Sequence, residues 1–185
     1  MTDKKIILGL VGQMACGKGT ITKYATEKYG ASTYRFSTIL WDLLDRLHIE
    51  VSRNTLQTLS TSLRQNFGED ILAKVMAEDV RGDNNPIIII DGIRRLADIK
   101  YLKEMENFRL VRIVADPKIR FKRLVERGEK AGDTEKTFEE FMSEQTKEAE
   151  AEIPTVMAGA ELEINNNHGF EELHRLIDEI INIIK

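Results

Sequence analysis

Residues 12–20 read Gly-Gln-Met-Ala-Cys-Gly-Lys-Gly-Thr and follow directly on the apolar run Ile6-Ile7-Leu8-Gly9-Leu10-Val11. A chain leaving a buried strand can curl at Gly12 and Gly17 without Cβ clashes. Successive N–H groups through Gln13, Met14, Ala15 and Cys16 then point inward at an anion. Lys18 reaches toward outer phosphates, and the helix that follows adds its positive N-terminal end. The chemistry this spacing supports is the holding of a polyphosphate. The usual loop has Ser or Thr directly after the Lys, whereas here Gly19 intervenes before Thr20. Cys16, the single cysteine, fits the loop by size and shape, with a reactive thiol as the other reading.

A second group follows the four isoleucines at 87–90, where Asp91 leads into Gly92-Ile93-Arg94-Arg95. A carboxylate at the tip of a buried strand can hold the water shell of Mg²⁺ or accept a proton from an attacking hydroxyl. Its alternative role is to cap a following helix. Arg presents a planar fork that matches phosphate oxygens, so one of Arg94 and Arg95 is expected on a phosphate, the other in solvent or paired with Asp98. Arg120, Arg123 and Arg127 share one helical face. Asp116, Glu126 and Glu129 would make that face an ordinary solvated one. The glycine-rich, charged stretch at 127–133 instead favours a phosphate clamp by Arg123 and Arg127, and less strongly by Arg120.

These residues need a frame. Strand-like runs at about 5–11, 32–36, 86–91, 108–115 and 161–165 alternate with helical patterns at about 18–29, 38–48, 53–66, 69–81, 95–105, 117–127, 136–150 and 170–184. This predicts an α/β fold of three layers, a five-stranded, mostly parallel sheet with helices on both faces. The isoleucine run is the clearest central strand, and Pro86 suits its first position. Ser52 and Thr134 read as helix N-caps. Ligands of such sheets lie beyond the carboxyl ends of the strands. Two interruptions of the alternation, an insertion at about 37–82 and a lid at about 123–140, are therefore placed to close over a site.

With 185 residues, a single domain over 1–185 suffices. Charged residues make up 31% and hydrophobic ones 42%, a globular balance. A net charge of −4 gives no bulk attraction to nucleic acid or acidic lipid. No apolar run approaches a membrane span, and the first residues, MTDKK, lack a signal peptide's apolar stretch, so a cytoplasmic protein is expected. One cysteine rules out an internal disulfide.

The loop GQMACGKGT, with IIIIDGIRRLADI at 87–99, ADPKIRFKRLVERG at 115–128 and LEINNNHGFEEL at 162–173, resembles nucleoside-monophosphate-kinase-type P-loop kinases. The chain is most similar to an adenylate-kinase-related family best known in archaea, and more distantly to dephospho-CoA kinases and phage deoxynucleotide kinases. The resemblance implies that Lys18 holds the β- and γ-phosphates of ATP, that Thr20 contributes to phosphate or Mg²⁺ binding, and that Asp91 orients the metal or the nucleophile. It further implies that Arg123 and Arg127 close over the ATP phosphates, that Arg94 meets the acceptor phosphate, and that Asn165 and Asn166 approach the adenine. A turn before the last helix explains the asparagines equally.

One departure concerns the acceptor. Such kinases carry a segment like STGDMLR after the second strand, with an Arg for the acceptor phosphate; this chain has Ser37-Thr38-Ile39-Leu40-Trp41-Asp42-Leu43-Leu44. Arg35, Arg46 or Arg64 are the candidate replacements, Arg64 being favoured by the family's similar LR before an acidic segment. Trp41 either stacks on an acceptor base or packs its helix, the second being expected.

The expected activity is ATP- and Mg²⁺-dependent phosphoryl transfer to a nucleoside or deoxynucleoside monophosphate. The alternatives are transfer to a hydroxyl of a dephospho-CoA-like acceptor, or slow ATP hydrolysis by a nucleotide-dependent switch. The expected partner is a small nucleotide acceptor, with neither nucleic acid nor membrane, in a monomer or homodimer.

Overall fold

A computed structural model of the chain describes residues 5–128, 132–146 and 148–184. The start of the chain at 1–4 and residues 129–131 of the expected lid lie outside the described residues. Five strands form the sheet: β1 (Ile6–Val11), β2 (Ser32–Arg35), β3 (Ile87–Asp91), β4 (Phe108–Val114) and β5 (Leu162–Asn165). Their spatial order is β2-β3-β1-β4-β5 and every pairing is parallel, with Gly9 beside Ile90 and Leu110, and Arg35 beside Asp91. All five carboxyl ends therefore meet at one edge.

Burial explains the order. β1 and β3 are buried at every residue, which only an apolar run can tolerate between neighbours on both sides. The edge strands β2 and β5 alternate instead. One face carries α2 (Phe36–Arg46), α4 (Ile71–Gly82) and α8 (Ile153–Ala158), whose Phe36, Leu40, Met76, Val80, Ile153 and Val156 pack on Ile7, Ile88 and Ile90. The other carries α1 (Lys18–Tyr29) and α9 (Phe170–Ile184), with Ile21, Ala25, Leu173 and Ile177 on Leu8, Leu10 and Ile89. Gly9 makes the close approach possible: a Cβ there would lie 2.7 Å from the Phe108 ring and 2.8 Å from Ile93 Cδ1.

The remaining helices are α3 (Arg53–Phe67), α5 (Pro117–Arg127), α6 (Phe138–Glu144) and α7 (Glu148–Ala151). Ser52 caps α3 as expected: its Oγ accepts from the Thr55 N–H at 3.1 Å while its own N–H donates to Thr55 Oγ1 at 2.9 Å. Thr134 caps nothing. Thr137 does so for α6, in a reciprocal pair with Glu140. The helix expected over 95–105 is only a 3-10 turn, Leu96–Ile99. Asp98 caps the start of this turn, its carboxylate accepting the N–H groups of Arg94 and Arg95, each at 3.0 Å. The pattern at 136–150 divides into α6 and α7, and the short α8 was not expected. No helix of the described residues is long and apolar enough to cross a membrane.

Candidate active site

The carboxyl edge of the sheet collects the phosphate loop after β1, Arg35 at the end of β2, Asp91 at the end of β3, and Asn165 and Asn166 at and after the end of β5. Within the loop, Gly12 lies so close to its neighbours that a Cβ would approach Cys16 Sγ and the Ile113 carbonyl to 2.6 Å each. Ala15 has φ 60° and Gly17 φ 109°, and the Cys16 N–H returns to the Gln13 carbonyl at 3.2 Å. Left-handed residues of this kind fold a chain into a concave nest of N–H groups. Gly17 begins α1 without a side-chain cap, so the first N–H groups of the helix are aimed at the same place. Lys18 lies across the loop, its Nζ donating to the Gly12 carbonyl at 2.6 Å and the Gln13 carbonyl at 3.3 Å. Thr20 stands in the first turn of α1, half-buried, and Gly19 is exposed beside it.

Side chains from α5 and β5 reach the loop from outside. Asn166, 4% exposed, donates from Nδ2 to the Cys16 carbonyl at 2.8 Å, and its Oδ1 accepts from Arg123 Nη2 at 3.4 Å. Arg123 Nη2 also faces the His168 carbonyl at 3.4 Å, while the buried Nη1 finds no hydrogen-bond partner among the described residues. Arg120 points inward rather than out to a ligand: Nη1 donates to the Met14 carbonyl at 3.2 Å, Nε to the Ala115 carbonyl at 3.1 Å, and Nη2 to Gln145 Oε1 at 2.9 Å. Phe121, Phe138 and Phe141 stack α6 against α5, with ring centroids 5.5 to 6.3 Å apart. Arg127 ends α5, and Gly128 follows with φ 52°.

At the end of β3, Asp91 is buried and uses both oxygens: Oδ2 pairs with Arg35 Nη2 at 3.1 Å and Oδ1 accepts the Gly92 N–H at 2.6 Å. It ends a strand and caps no helix. Arg64, the arginine favoured from the sequence, is buried and occupied. It pairs with Asp98 Oδ1 at 3.0 Å and donates to the Glu69 carbonyl. Arg94 is exposed with Nη1 3.6 Å from Glu150 Oε1, and Arg95 Nη1 lies 3.5 Å from Glu69 Oε2. Ile93 is sunk into the core, which anchors the Gly92–Arg95 turn. Ser37 lies half-buried in the first turn of α2, and Arg46 is exposed in its last. Trp41 is 51% exposed, so it does not serve as core packing. Asn165 is exposed, and its Oδ1 accepts the Asn167 N–H at 3.2 Å. Sequence reasoning missed the Arg35–Asp91 pair and the contacts of Arg120 and Gln145. The first was open to a register argument, since both residues end neighbouring parallel strands.

A model described as the AAA domain matches residues 11–142, well over half of the chain. A UPF0200 protein of Pyrococcus horikoshii is 30% identical over 184 residues, covering 97% of each chain. The chain belongs to the AAA domain family, among the UPF0200 proteins. A UPF0200 protein of Saccharolobus solfataricus is 28% identical over 179 residues, covering 95% of this chain and 92% of its own. Among solved structures, a shikimate kinase of Bacteroides thetaiotaomicron superposes with a TM-score of 0.64 at 16% identity, covering 96% of this chain and 98% of that one. The shikimate kinase of Acinetobacter baumannii in complex with shikimate gives 0.58 at 13% identity, covering 98% and 94%. At such identity the likeness is one of fold, and the fold is that of P-loop kinases.

Proposed function

We propose that the protein transfers the γ-phosphoryl group of ATP to a small phosphorylated acceptor, a nucleoside or deoxynucleoside monophosphate. The observation that carries this reading is the meeting, at one sheet edge, of an anion nest with Lys18 across it and the exposed Arg35 guanidinium paired with Asp91. Phosphoryl transfer asks little covalent chemistry of a protein. Catalysis comes from positioning and from charge placed where the transferring group develops it. Lys18 and the loop N–H groups hold the donor phosphates, and Arg123 and Arg127 approach them from α5. Thr20 and Asp91 are oxygen donors of the kind that hold Mg²⁺ together with substrate phosphates. When bound, that ion would neutralise charge on the phosphate oxygens.

Arg35 replaces Arg64 as the candidate for the acceptor phosphate. It is more than half exposed, ends β2 at the site, and can exchange its Asp91 partner for a phosphate. A phosphate nucleophile needs no general base, which suits a carboxylate already engaged by a guanidinium and a backbone N–H. Transfer to a hydroxyl would need Asp91 freed to take the proton.

The test is product analysis by mass spectrometry with ATP, Mg²⁺ and a panel of nucleoside monophosphates, nucleosides, dephospho-CoA and shikimate, the last because two similar folds are shikimate kinases. A diphosphate product that disappears in Lys18→Ala is expected. Undiminished transfer in that variant, or ADP and free phosphate as the only products, would refute the proposal.

A further inference from the structure

Arg120 combines features that rarely occur together. It is 2% exposed, it carries a permanent charge, and among the described residues it makes no ion pair with a carboxylate. Its partners are neutral: the Met14 and Ala115 carbonyls, Gln145 Oε1, and the face of the Phe141 ring, 5.4 Å from the guanidinium carbon. Burial pushes its pKa below the ordinary value, against the opposing influence of Cys16 and Asp116. A buried cation held by neutral partners carries a desolvation cost, which here is met by two backbone carbonyls, one side-chain amide and a ring face.

The consequence lies in the loop's peptide planes. In a trans peptide, the carbonyl of one residue and the N–H of the next point in opposite directions. Arg120 draws the Met14 carbonyl toward α5, which turns the Ala15 N–H the other way. Asn166 draws the Cys16 carbonyl, which turns the Gly17 N–H likewise. The two holders act from one side, because Arg120 and Arg123 are three apart on α5 and Arg123 touches Asn166. Between the two held carbonyls stands Ala15 at φ 60°, a conformation that is strained for a non-glycine residue and persists only where its surroundings over-determine it.

We infer that Arg120, seconded by Asn166, is a positioning residue that sets the Met14–Ala15 and Cys16–Gly17 peptide planes so that the Ala15 and Gly17 N–H groups face a polyphosphate, and that Gln145 ties this setting to the end of α6. The inference rests on the reading of the loop as a phosphate cradle, and it deepens that reading by naming what presets it. The charge of Arg120 also finds its counter-charge in the bound phosphates. The end of α6 is thereby connected to the loop: Gln145 grips the same guanidinium that grips Met14.

The test is calorimetric titration of the full chain with inorganic tripolyphosphate, which needs no turnover, alongside thermal melting. Arg120→Met, similar in length and uncharged, should weaken binding at least tenfold. Arg120→Lys restores the charge and one hydrogen bond and should recover part of the loss. Gln145→Ala, which leaves Arg120 in place, should cost about threefold, and it keeps the inference testable where Arg120→Met fails to fold. A merely structural strut would lower the melting temperature and leave affinity per folded molecule unchanged. Affinity within twofold of wild type in Arg120→Lys and Gln145→Ala, or in a folded Arg120→Met, would overturn the inference. Tripolyphosphate binding that depends on Arg120, in a protein that phosphorylates no acceptor, would refute the kinase reading alone. Normal phosphoryl transfer with unaltered binding in all three variants would refute this inference alone.

Discussion

The three glycines of the phosphate loop that flank its turns are not there for one reason. Gly12 has no room for a Cβ, and Gly17 needs its positive φ and would drive a Cβ into the Asn166 amide. The fold itself requires both. Gly19 is different: a Cβ there meets nothing within 4 Å, and the residue is exposed in the first turn of α1. In a helix it costs roughly 0.5–1 kcal/mol against Ala, and the proposed function supplies a reason for it in the approach of a phosphate. Gly19→Ala should raise stability by about that amount in urea denaturation while weakening ATP binding. A more stable variant with unchanged ATP affinity would return Gly19 to the status of a tolerated residue. The loop was legible in the sequence because glycine requirements and a lysine at fixed spacing are local. The choice of Arg64 for the acceptor was not decidable there, since what occupies it is the buried carboxylate of Asp98, 34 residues further on.

The rear half of α1 shows how an element holds a site it does not touch. Asp178 on α9 accepts from Tyr24 at 2.9 Å, Tyr29 at 2.6 Å and Lys28 at 2.7 Å, and His174 stacks on Tyr24 with ring centroids 3.8 Å apart. Four contacts thus fix the C-terminal turns of the helix whose N-terminus faces the proposed phosphate site. Asp178→Asn keeps the shape and removes the charge that three donors share, and should cost about 1–2 kcal/mol, read as a lower urea midpoint. An unchanged midpoint would show the cluster to be incidental. At this scale the strands were the readable part, because a parallel strand buried on both faces has to be a short apolar run, as 87–90 is. Among the helices, the segment at 95–105 kept only its capped first turn, and a short apolar pair such as Ile153 and Val156 of α8 offers no periodicity to read. All five strand ends share one edge only because every crossover returns parallel, a property of the assembled sheet that no single segment carries.

For the whole molecule, titration links these local clusters to stability. Asp70 is held well below its ordinary carboxylate value by hydrogen bonds from Lys100 and Tyr101. Burial opposes the ionisation of Asp178, yet the hydrogen bonds from Lys28, Tyr29 and Tyr24 prevail and hold it low as well. Tyr29 moves the other way, pushed up to about 12 by burial and by its hydrogen bond to Asp178. A depressed carboxylate binds fewer protons folded than unfolded, so its contribution is complete above the ordinary value near pH 4 and is lost as pH falls through the folded value. A raised phenol keeps its proton longer folded than unfolded. Its contribution is complete below the ordinary value near pH 10 and declines between that pH and the folded value. Lys28, also raised by Asp178 and Tyr24, acts in the same direction. The urea midpoint should therefore be level from about pH 5 to 9, and fall below about pH 4 and above about pH 10. Tyr29→Phe removes the phenol but not Lys28, so its curve should lose part of the alkaline decline, and its acid limb should shrink as well because Asp178 loses one of the hydrogen bonds that hold it low. Parallel curves for wild type and Tyr29→Phe above pH 10 would show that Asp178 does not bind that phenol in solution, and would remove one of the four contacts argued to fix α1.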